Sequence, residues 1–136
     1  MTEKHMIFFQ HGLHGTFADY DVMIKNFKER YPDLLLVSGS ANGGVKTREG
    51  IDKCGERMAH EVTEVSKLLK PTKISIVGHS LGGPISRYAI GILYEQGYFN
   101  NVSPIQYISL SSPHCGSRRP QKGAFNVTVS FFTDKC

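Results

Sequence analysis

Ser80 lies between two glycines in the stretch "SIVGHSLGG", residues 75–83, directly after a run of apolar, β-branched residues. A serine in the spacing G-x-S-x-G can act as a nucleophile on an acyl carbon when a sharp turn between a strand and a helix exposes its hydroxyl. The alternative is a small residue in an ordinary glycine-rich loop. Because the motif falls between a predicted strand and a predicted helix, we interpret Ser80 as a candidate catalytic nucleophile.

The glycines around Ser80 have a steric purpose in such a turn. The residues two before and two after the serine come close together, and Gly78 and Gly82 avoid the collision that side chains would cause. Gly83 lets the following helix begin against the strand. The N-terminus of that helix would direct its dipole, and the backbone N–H of Leu81, at a negative charge that develops on a substrate oxygen.

Another glycine-containing loop, "QHGLHG" at residues 10–15, follows the first predicted strand. Its two glycines allow the main chain to turn an amide inward, and the backbone N–H of Leu13 would be the second donor to the oxyanion. Two alternatives are an ordinary glycine-rich loop and a metal site built from His11 and His14. The metal site lacks support, because no further cluster of Cys, His or carboxylate residues stands at ligand spacing.

The rest of the chain supplies the elements that would position these two loops. Apolar periodicity predicts strands alternating with helices, and Asp19 or Asp21 is expected to cap the first helix. This alternation is typical of an α/β fold, a three-layer sandwich with a mainly parallel sheet between helices. The predicted strands are 5–9, 34–37, 73–77 and 104–110, with a later candidate at 126–132, and the predicted helices are 20–31, 51–69 and 84–96.

The composition indicates one soluble globular domain. The chain has 136 residues, of which 40% are hydrophobic and 21% charged, enough for a single core. Its net charge of +4 is mild, and its one local cluster, "GSRRPQKG" at residues 116–123, is typical of a solvated basic loop. A nucleic-acid surface would need more charge and interleaved aromatic residues, so we expect no nucleic-acid partner.

The cysteines and the N-terminus bear on the compartment. Cys54, Cys115 and Cys136 are far apart and form no C-x-x-C pair, which argues against a zinc ribbon or a disulfide framework. The N-terminal apolar run is too short for a signal peptide, and no stretch approaches the ~18 apolar residues of a transmembrane helix. We therefore expect a cytoplasmic protein with reduced thiols, in which the sequons at Asn101 and Asn126 go unused.

Four segments follow one another along the chain: "HGLHGTFADY", "GIDKCGERMAHEV", "KISIVGHSLGGPISRYAIG" and "YISLSSPHCGSR". In this order they resemble the eukaryotic putative serine esterase (lipase-like) family of α/β-hydrolases, from about His5 to Arg119. The resemblance implies that Ser80 is the nucleophile and that Leu13 and Leu81 are the oxyanion-hole donors. It also implies hydrolysis of a small-molecule ester or lipid through an acyl-enzyme, peripheral contact with lipid, and no cofactor or metal.

The C-terminal part of the chain departs from the family pattern. Such enzymes take their triad in the order serine, acid, histidine, with the last two on loops after later strands. If the first predicted strand is the third of the fold, the strand at 104–110 is the sixth. Asp134 is the one acid beyond that strand, and no histidine follows Asp134. His114, in the family's "SPH" signature, is interpreted as site-shaping. We expect a hydrolase domain truncated after that strand (residues 1–119), a divergent tail (120–136) and poor or no activity of the chain alone.

Three functions compete on the sequence. An active serine esterase or lipase follows from the two loops and the family resemblance. A catalytically inert hydrolase-fold protein, binding lipid or a partner through an exposed hydrophobic sheet edge, follows from the missing acid and histidine. Nucleotide binding is the third, because "GSANGGVKT" at residues 39–47 resembles a phosphate loop, although Val45 puts Lys46 one residue out of register.

Overall fold

The computed structural model describes residues 3–117, in which strands and helices alternate in the order that the sequence predicts. The strands are β1 (His5–Gln10), β2 (Leu35–Ser38), β3 (Lys73–His79) and β4 (Ser103–Leu110). The helices are α1 (Asp21–Arg30), α2 (Ile51–Leu69) and α3 (Gly82–Glu95), and short 3-10 helices lie at Phe17–Tyr20, Gly44–Arg48 and Tyr98–Asn100.

The four strands form one sheet in the order β2-β1-β3-β4, and every pair is parallel. Parallel strands place their carboxyl ends at one edge of the sheet, so the loops after β1, β3 and β4 meet there. The register aligns Gln10 with Gly78, and Gly78 with Ser109. The two glycine-containing loops of the sequence are therefore neighbours in space.

Helices cover both faces of the sheet, and the alternation along β1 shows how the core is divided. Met6 and Phe8 pack with α2 and α3 on one face, while Ile7 and Phe9 pack with α1 on the other. The predicted three-layer α/β architecture is confirmed by this arrangement. The larger cluster consists of Met6, Phe8, Cys54, Met58, Ala59, Val62, Ile74, Ile76, Ile85, Ala89, Leu93 and Val102.

α2 is the longest described helix, with 19 residues. Its buried face includes Met58 and Val62, and its exposed side carries an ion pair between Glu64 and Lys67. Lys70 ends the helix in a left-handed conformation, with φ at +51°. No helix in the described part of the chain is both long and apolar enough to cross a membrane.

The start of α1 differs from the prediction. Neither Asp19 nor Asp21 is the N-cap of this helix, because Tyr20 takes that position and Asp21 is the first helical residue. Asp19 belongs to the preceding 3-10 helix, where its carboxylate accepts a hydrogen bond from the Thr16 N–H at 3.3 Å. A 3-10 helix has three residues per turn, so the 3.6-residue apolar period of the sequence does not reveal it.

β4 forms one edge of the described sheet. It pairs with β3 alone among residues 3–117, and all eight of its residues are exposed. The pairing of β4 with β3 is irregular at Ile105, which has no partner residue in β3. The predicted strand at 126–132 lies outside the described residues, as does the predicted tail from residue 120, so both stay predictions. The large apolar side chains on the exposed strand are Ile105, Tyr107, Ile108 and Leu110.

Candidate functional site

Ser80 occupies the turn between β3 and α3. Its φ of +52° lies in the left-handed region, which costs a non-glycine residue roughly 1–2 kcal/mol. Two backbone hydrogen bonds hold the turn, one from the Ser80 N–H to the Leu110 carbonyl at 2.9 Å and one from the Gly83 N–H to the Ser80 carbonyl at 3.0 Å. The residue is partly exposed and lies at the carboxyl edge of the sheet, directly after β3.

The three glycines of this turn leave no room for side chains. A Cβ on Gly78 would lie 2.6 Å from the carbonyl oxygen of Gly82, which is the close approach predicted between the residues two before and two after the serine. A Cβ on Gly82 would overlap the carbonyl oxygen of Gln10, and one on Gly83 would overlap the Oγ of Ser112. The start of α3 is therefore seated on the end of β1 and on the loop after β4.

The loop after β1, residues 11–16, which we call the first loop, lies directly against the serine turn. A Cβ on Gly12 would come within 2.9 Å of both the His79 carbonyl oxygen and the Ser80 Cβ. The same position is 3.3 Å from the backbone nitrogen of Leu81. Only glycine permits this approach, and it brings together the two loops from which Leu13 and Leu81 were predicted to donate.

Hydrogen bonds fix the orientation of the peptide between Gly12 and Leu13. The carbonyl oxygen of Gly12 accepts one hydrogen bond from the Gly15 N–H and another from the Nδ1 of His11, each at 3.0 Å. Because this peptide bond is trans, the Leu13 N–H points away from that carbonyl. In the described part of the chain neither the Leu13 N–H nor the Leu81 N–H has a hydrogen-bond acceptor. Both amides are therefore available as donors.

His11 and His14 serve the loop itself. His11 is 1% exposed, and since a carbonyl can only accept, its Nδ1 carries the proton in the bond to Gly12. The Nε2 of His14 accepts a hydrogen bond from the Nε of Arg48 at 3.0 Å. Residues 3–117 contain no group of three or more His, Cys, Asp or Glu residues that could hold a metal ion. The metal-site alternative thus finds no ligand set in that part of the chain.

The end of β4 braces the serine turn from the other side. The Tyr107 hydroxyl donates to the carbonyl oxygen of Gly83 at 2.8 Å. Burial raises the pKa of Tyr107, so the hydroxyl keeps the proton that it donates. Together with the bond from the Ser80 N–H to the Leu110 carbonyl, this contact ties both sides of the turn to β4.

His114 belongs to this brace. The Arg87 guanidinium can only donate, so its 3.4 Å contact makes the His114 Nδ1 the acceptor. The Nε2 then carries the proton and donates to the Ser109 Oγ at 2.9 Å. Both ring nitrogens are engaged away from Ser80, which is consistent with a site-shaping residue rather than a triad base.

A layer of buried polar side chains under the first loop was missed by the sequence reasoning. The Tyr20 hydroxyl donates to the Gln10 carbonyl at 2.9 Å, and burial raises the pKa of Tyr20 to about 12. The side-chain amide of Asn42 donates to the Cys54 carbonyl at 2.8 Å and approaches the Gln10 Oε1 at 3.5 Å. The one indication of this layer in the sequence is Gln10, a polar residue at the end of an apolar run.

Among the described residues the structure brings no triad acid to Ser80 and forms no open phosphate cradle at residues 39–47. In the described part of the chain no acid or histidine is hydrogen-bonded to the Ser80 hydroxyl, and Asp134, the candidate acid, lies outside the described residues. In the loop that resembles a phosphate loop, the Thr47 hydroxyl is buried between the Gly44 carbonyl and the His14 N–H. That hydroxyl does not face an open cradle, so the loop geometry gives nucleotide binding no support.

Comparison with known families decides the lineage. The family model described as "Putative serine esterase (DUF676)" matches residues 1–135, which is nearly the whole chain. The chain belongs to this serine esterase family. The resemblance predicted from four sequence segments is therefore confirmed.

The curated fungal relatives that match this chain are much longer than it is. It is 32% identical over 136 residues to "Putative lipase ROG1" of Saccharomyces cerevisiae, a match that covers 95% of the chain and 20% of the relative. It is 24% identical over 125 residues to "Putative lipase C4A8.10" of Schizosaccharomyces pombe, covering 83% of the chain and 16% of the relative. The chain thus spans about one fifth of the length of these proteins or less.

Solved structures support the fold. A lipase-esterase related protein from Clostridium acetobutylicum superposes with a TM-score of 0.63 at 18% identity, covering 96% of this chain and 50% of that one. The RedJ thioesterase of Streptomyces coelicolor gives 0.63 at 17% identity, covering 94% and 48%. The chain therefore has an α/β-hydrolase fold, of which the described sheet of four parallel strands is a part.

Proposed function

We propose that this protein is a serine esterase in which Ser80 is the nucleophile. The observation that supports the proposal is the position of Ser80 at φ +52° in a strand-to-helix turn, with Gly12 of the neighbouring loop packed against it. Strained backbone of this kind persists where surrounding contacts enforce it, and it often accompanies function. The family, which carries the description "Putative serine esterase (DUF676)", supports the same chemistry.

In the proposed reaction the Ser80 Oγ attacks the acyl carbon of a carboxylic ester. The electron pair of the carbonyl moves onto its oxygen, and the N–H groups of Leu13 and Leu81 donate hydrogen bonds to that oxyanion. Collapse of the tetrahedral intermediate breaks the ester bond, and the alcohol leaves with the proton that the serine gave up. Water then releases the acid from the acyl-enzyme and regenerates the serine.

The proton of Ser80 needs a general base, because a neutral serine hydroxyl is a poor nucleophile. None of residues 3–117 is hydrogen-bonded to that hydroxyl, so the proposal requires the base to come from outside them. The protein to test is accordingly the one expressed from its complete coding sequence, which we call the whole protein.

For the substrate we propose an acyl ester of the lipid class. Two similar proteins are each named "Putative lipase", and we carry that class over as part of the proposal. Peripheral contact with a lipid surface would bring such a substrate to the carboxyl edge of the sheet, where Ser80 is partly exposed.

Covalent labelling tests the proposed function. The whole protein is incubated with a fluorophosphonate probe, and the adduct is located by peptide mass spectrometry while hydrolysis of p-nitrophenyl acyl esters is followed. We expect one adduct, on Ser80, and loss of ester hydrolysis in proportion to labelling. Heat-denatured protein is the control. Labelling of other serines, or hydrolysis that survives complete labelling of Ser80, would contradict the proposal.

Replacing Gly12 with alanine is expected to lower the rate of acylation by roughly 10²–10³-fold, the loss typical of one oxyanion-hole donor. The new Cβ would lie 2.9 Å from the Ser80 Cβ and the His79 carbonyl oxygen, so the first loop must move away and carry Leu13 with it. The measurement is the labelling rate of the whole protein.

Gly43→Ala is the matched control for Gly12→Ala. Gly43 has φ at −58°, and its added Cβ would be 3.6 Å from the nearest atom, the Ser40 carbonyl oxygen, which is an ordinary contact. We expect a labelling rate within about twofold of the unaltered protein. Equal rates for the two variants would show that the approach of Gly12 to Ser80 does not matter for acylation.

The exposed strand β4 supports one alternative, a non-catalytic protein that binds lipid or a partner through this edge. All of its residues are exposed, and Ile105 is 47% exposed. A strand that has one edge without a partner strand in residues 3–117, and that carries exposed apolar side chains, is a ready site for association. Strong fluorophosphonate labelling of Ser80 in the 136-residue chain would contradict the inert alternative, whereas sedimentation with phosphatidylcholine vesicles without labelling would favour it.

A further inference from the structure

The loop between β2 and α2, which we call the second loop (residues 39–50), is bonded to the loop after β1 next to the Leu13 amide. We infer that Thr47 of the second loop is a positioning residue that holds this amide in place for the oxyanion. The inference rests on the proposed function, since it assigns the amide a role in the reaction. Thr47 itself touches no reacting atom.

Two backbone groups that follow Leu13 are held by the second loop. The His14 N–H donates to the Thr47 Oγ at 2.9 Å, and the Gly15 carbonyl accepts from the Gly44 N–H at 2.9 Å. These bonds fix the peptides on the C-terminal side of Leu13. The Gly12 carbonyl, bonded as described above, fixes the peptide on its other side, so Leu13 is anchored at both ends.

The hydroxyl of Thr47 is used in both directions. It accepts from the His14 N–H and donates to the Gly44 carbonyl at 2.7 Å, and the residue is 1% exposed. The bond to Gly44 directs the hydroxyl proton at the Gly44 carbonyl, which leaves a lone pair of the oxygen to accept from the His14 N–H. Valine has nearly the same shape but lacks the hydroxyl, so it would leave both backbone groups without this partner.

The backbone at His14 needs such an anchor. Its φ is +59°, in the left-handed region that non-glycine residues seldom adopt. The Thr47 bond and the bond from the Arg48 Nε to the His14 Nε2 both act on this residue. When the hydroxyl is removed, His14 is free to relax toward a more common conformation, and Leu13 turns with it.

The kinetic test compares Thr47→Val with Thr47→Ser in the whole protein. We expect the valine variant to be acylated about 10–100-fold more slowly than the unaltered protein, with a KM for a p-nitrophenyl ester within about twofold of the unaltered value. The reason is that the hydrogen bond from the Leu13 N–H to the substrate oxygen matters chiefly in the transition state. The serine variant keeps the hydroxyl and is expected to stay within about threefold. A valine variant as fast as the unaltered protein, or a loss confined to KM, would overturn the inference.

A second readout does not depend on activity. Hydrogen exchange of the His14 amide is expected to be at least about 10-fold faster in Thr47→Val than in the unaltered protein and in Thr47→Ser. If the unaltered protein neither labels nor hydrolyses esters, the proposed function fails, while protection of this amide still reports on the anchor. If Thr47→Val does not fold, exchange in the unaltered protein decides: protection supports the anchor and an unprotected rate contradicts it.

Discussion

Gly82→Ala is expected to destabilise the protein by about 3 kcal/mol or more, at the upper end of what overpacking costs. The added Cβ would overlap the Gln10 carbonyl oxygen and lie 2.7 Å from that of His11. Both obstacles are backbone atoms at the end of β1, the central strand that pairs with β2 and β3. Neither can rotate away as a side chain could, so α3 or β1 must shift. The measurement is the free energy of unfolding by urea.

Gly91→Ala provides the matched control in the same helix. No atom lies within 4 Å of a Cβ added at Gly91, and alanine is the better helix former, so this variant is expected to gain about 0.5–1 kcal/mol. The two glycine-to-alanine changes in α3 should therefore change the free energy of unfolding in opposite directions. A Gly82→Ala protein as stable as Gly91→Ala would mean that α3 does not begin against β1 as described.

Ser80→Gly is expected to abolish acylation, a loss of about 10⁴-fold or more, and at the same time to stabilise the protein by about 0.5–1 kcal/mol. Glycine adopts φ of +52° without the steric cost that serine bears there, and this gain exceeds the entropy that glycine adds to the unfolded chain. Ser80→Ala removes the hydroxyl but keeps the Cβ. It should be equally inactive, with a stability close to that of the unaltered protein.

Lys70→Gly separates relief of strain from loss of the nucleophile. Lys70 has nearly the same φ, +51°, but ends α2 at the amino edge of β3, away from the serine turn. We expect this variant to gain a similar stability in urea unfolding and to label at the unaltered rate. Acylation that persists in Ser80→Gly would remove Ser80 from the mechanism. A lower free energy of unfolding for Ser80→Gly than for the unaltered protein would show that the serine turn is not strained.

The helices and strands could be predicted because their signals are local. Met58 and Val62 repeat along α2 at helical spacing, and the short apolar run of β1 is buried on both faces, as a central parallel strand requires. The serine turn could be predicted for the same reason. Gly78, Ser80 and Gly82 are close in the chain, and the steric demand that links them is a property of one turn.

The supporting contacts could not be predicted because they join residues that are distant in the chain. Nothing near Thr47 indicates that its hydroxyl binds the His14 N–H, and the 3-10 helix Gly44–Arg48 that positions it has no apolar period. Asn42 likewise reads as a loop residue and lies buried under the first loop. Such contacts appear only when the order of the strands is known, since that order decides which loops meet.

The bond from the Ser80 N–H to the Leu110 carbonyl has a consequence for biosynthesis. Leu110 is the last residue of β4, so a nascent chain that has left the ribosome only as far as α3 still lacks the acceptor that closes the serine turn. Tyr107, which ties Gly83 from the same strand, is missing at that stage too. The turn at Ser80 is therefore completed only after β4 has been synthesised, later than the helices and strands that precede it in the chain.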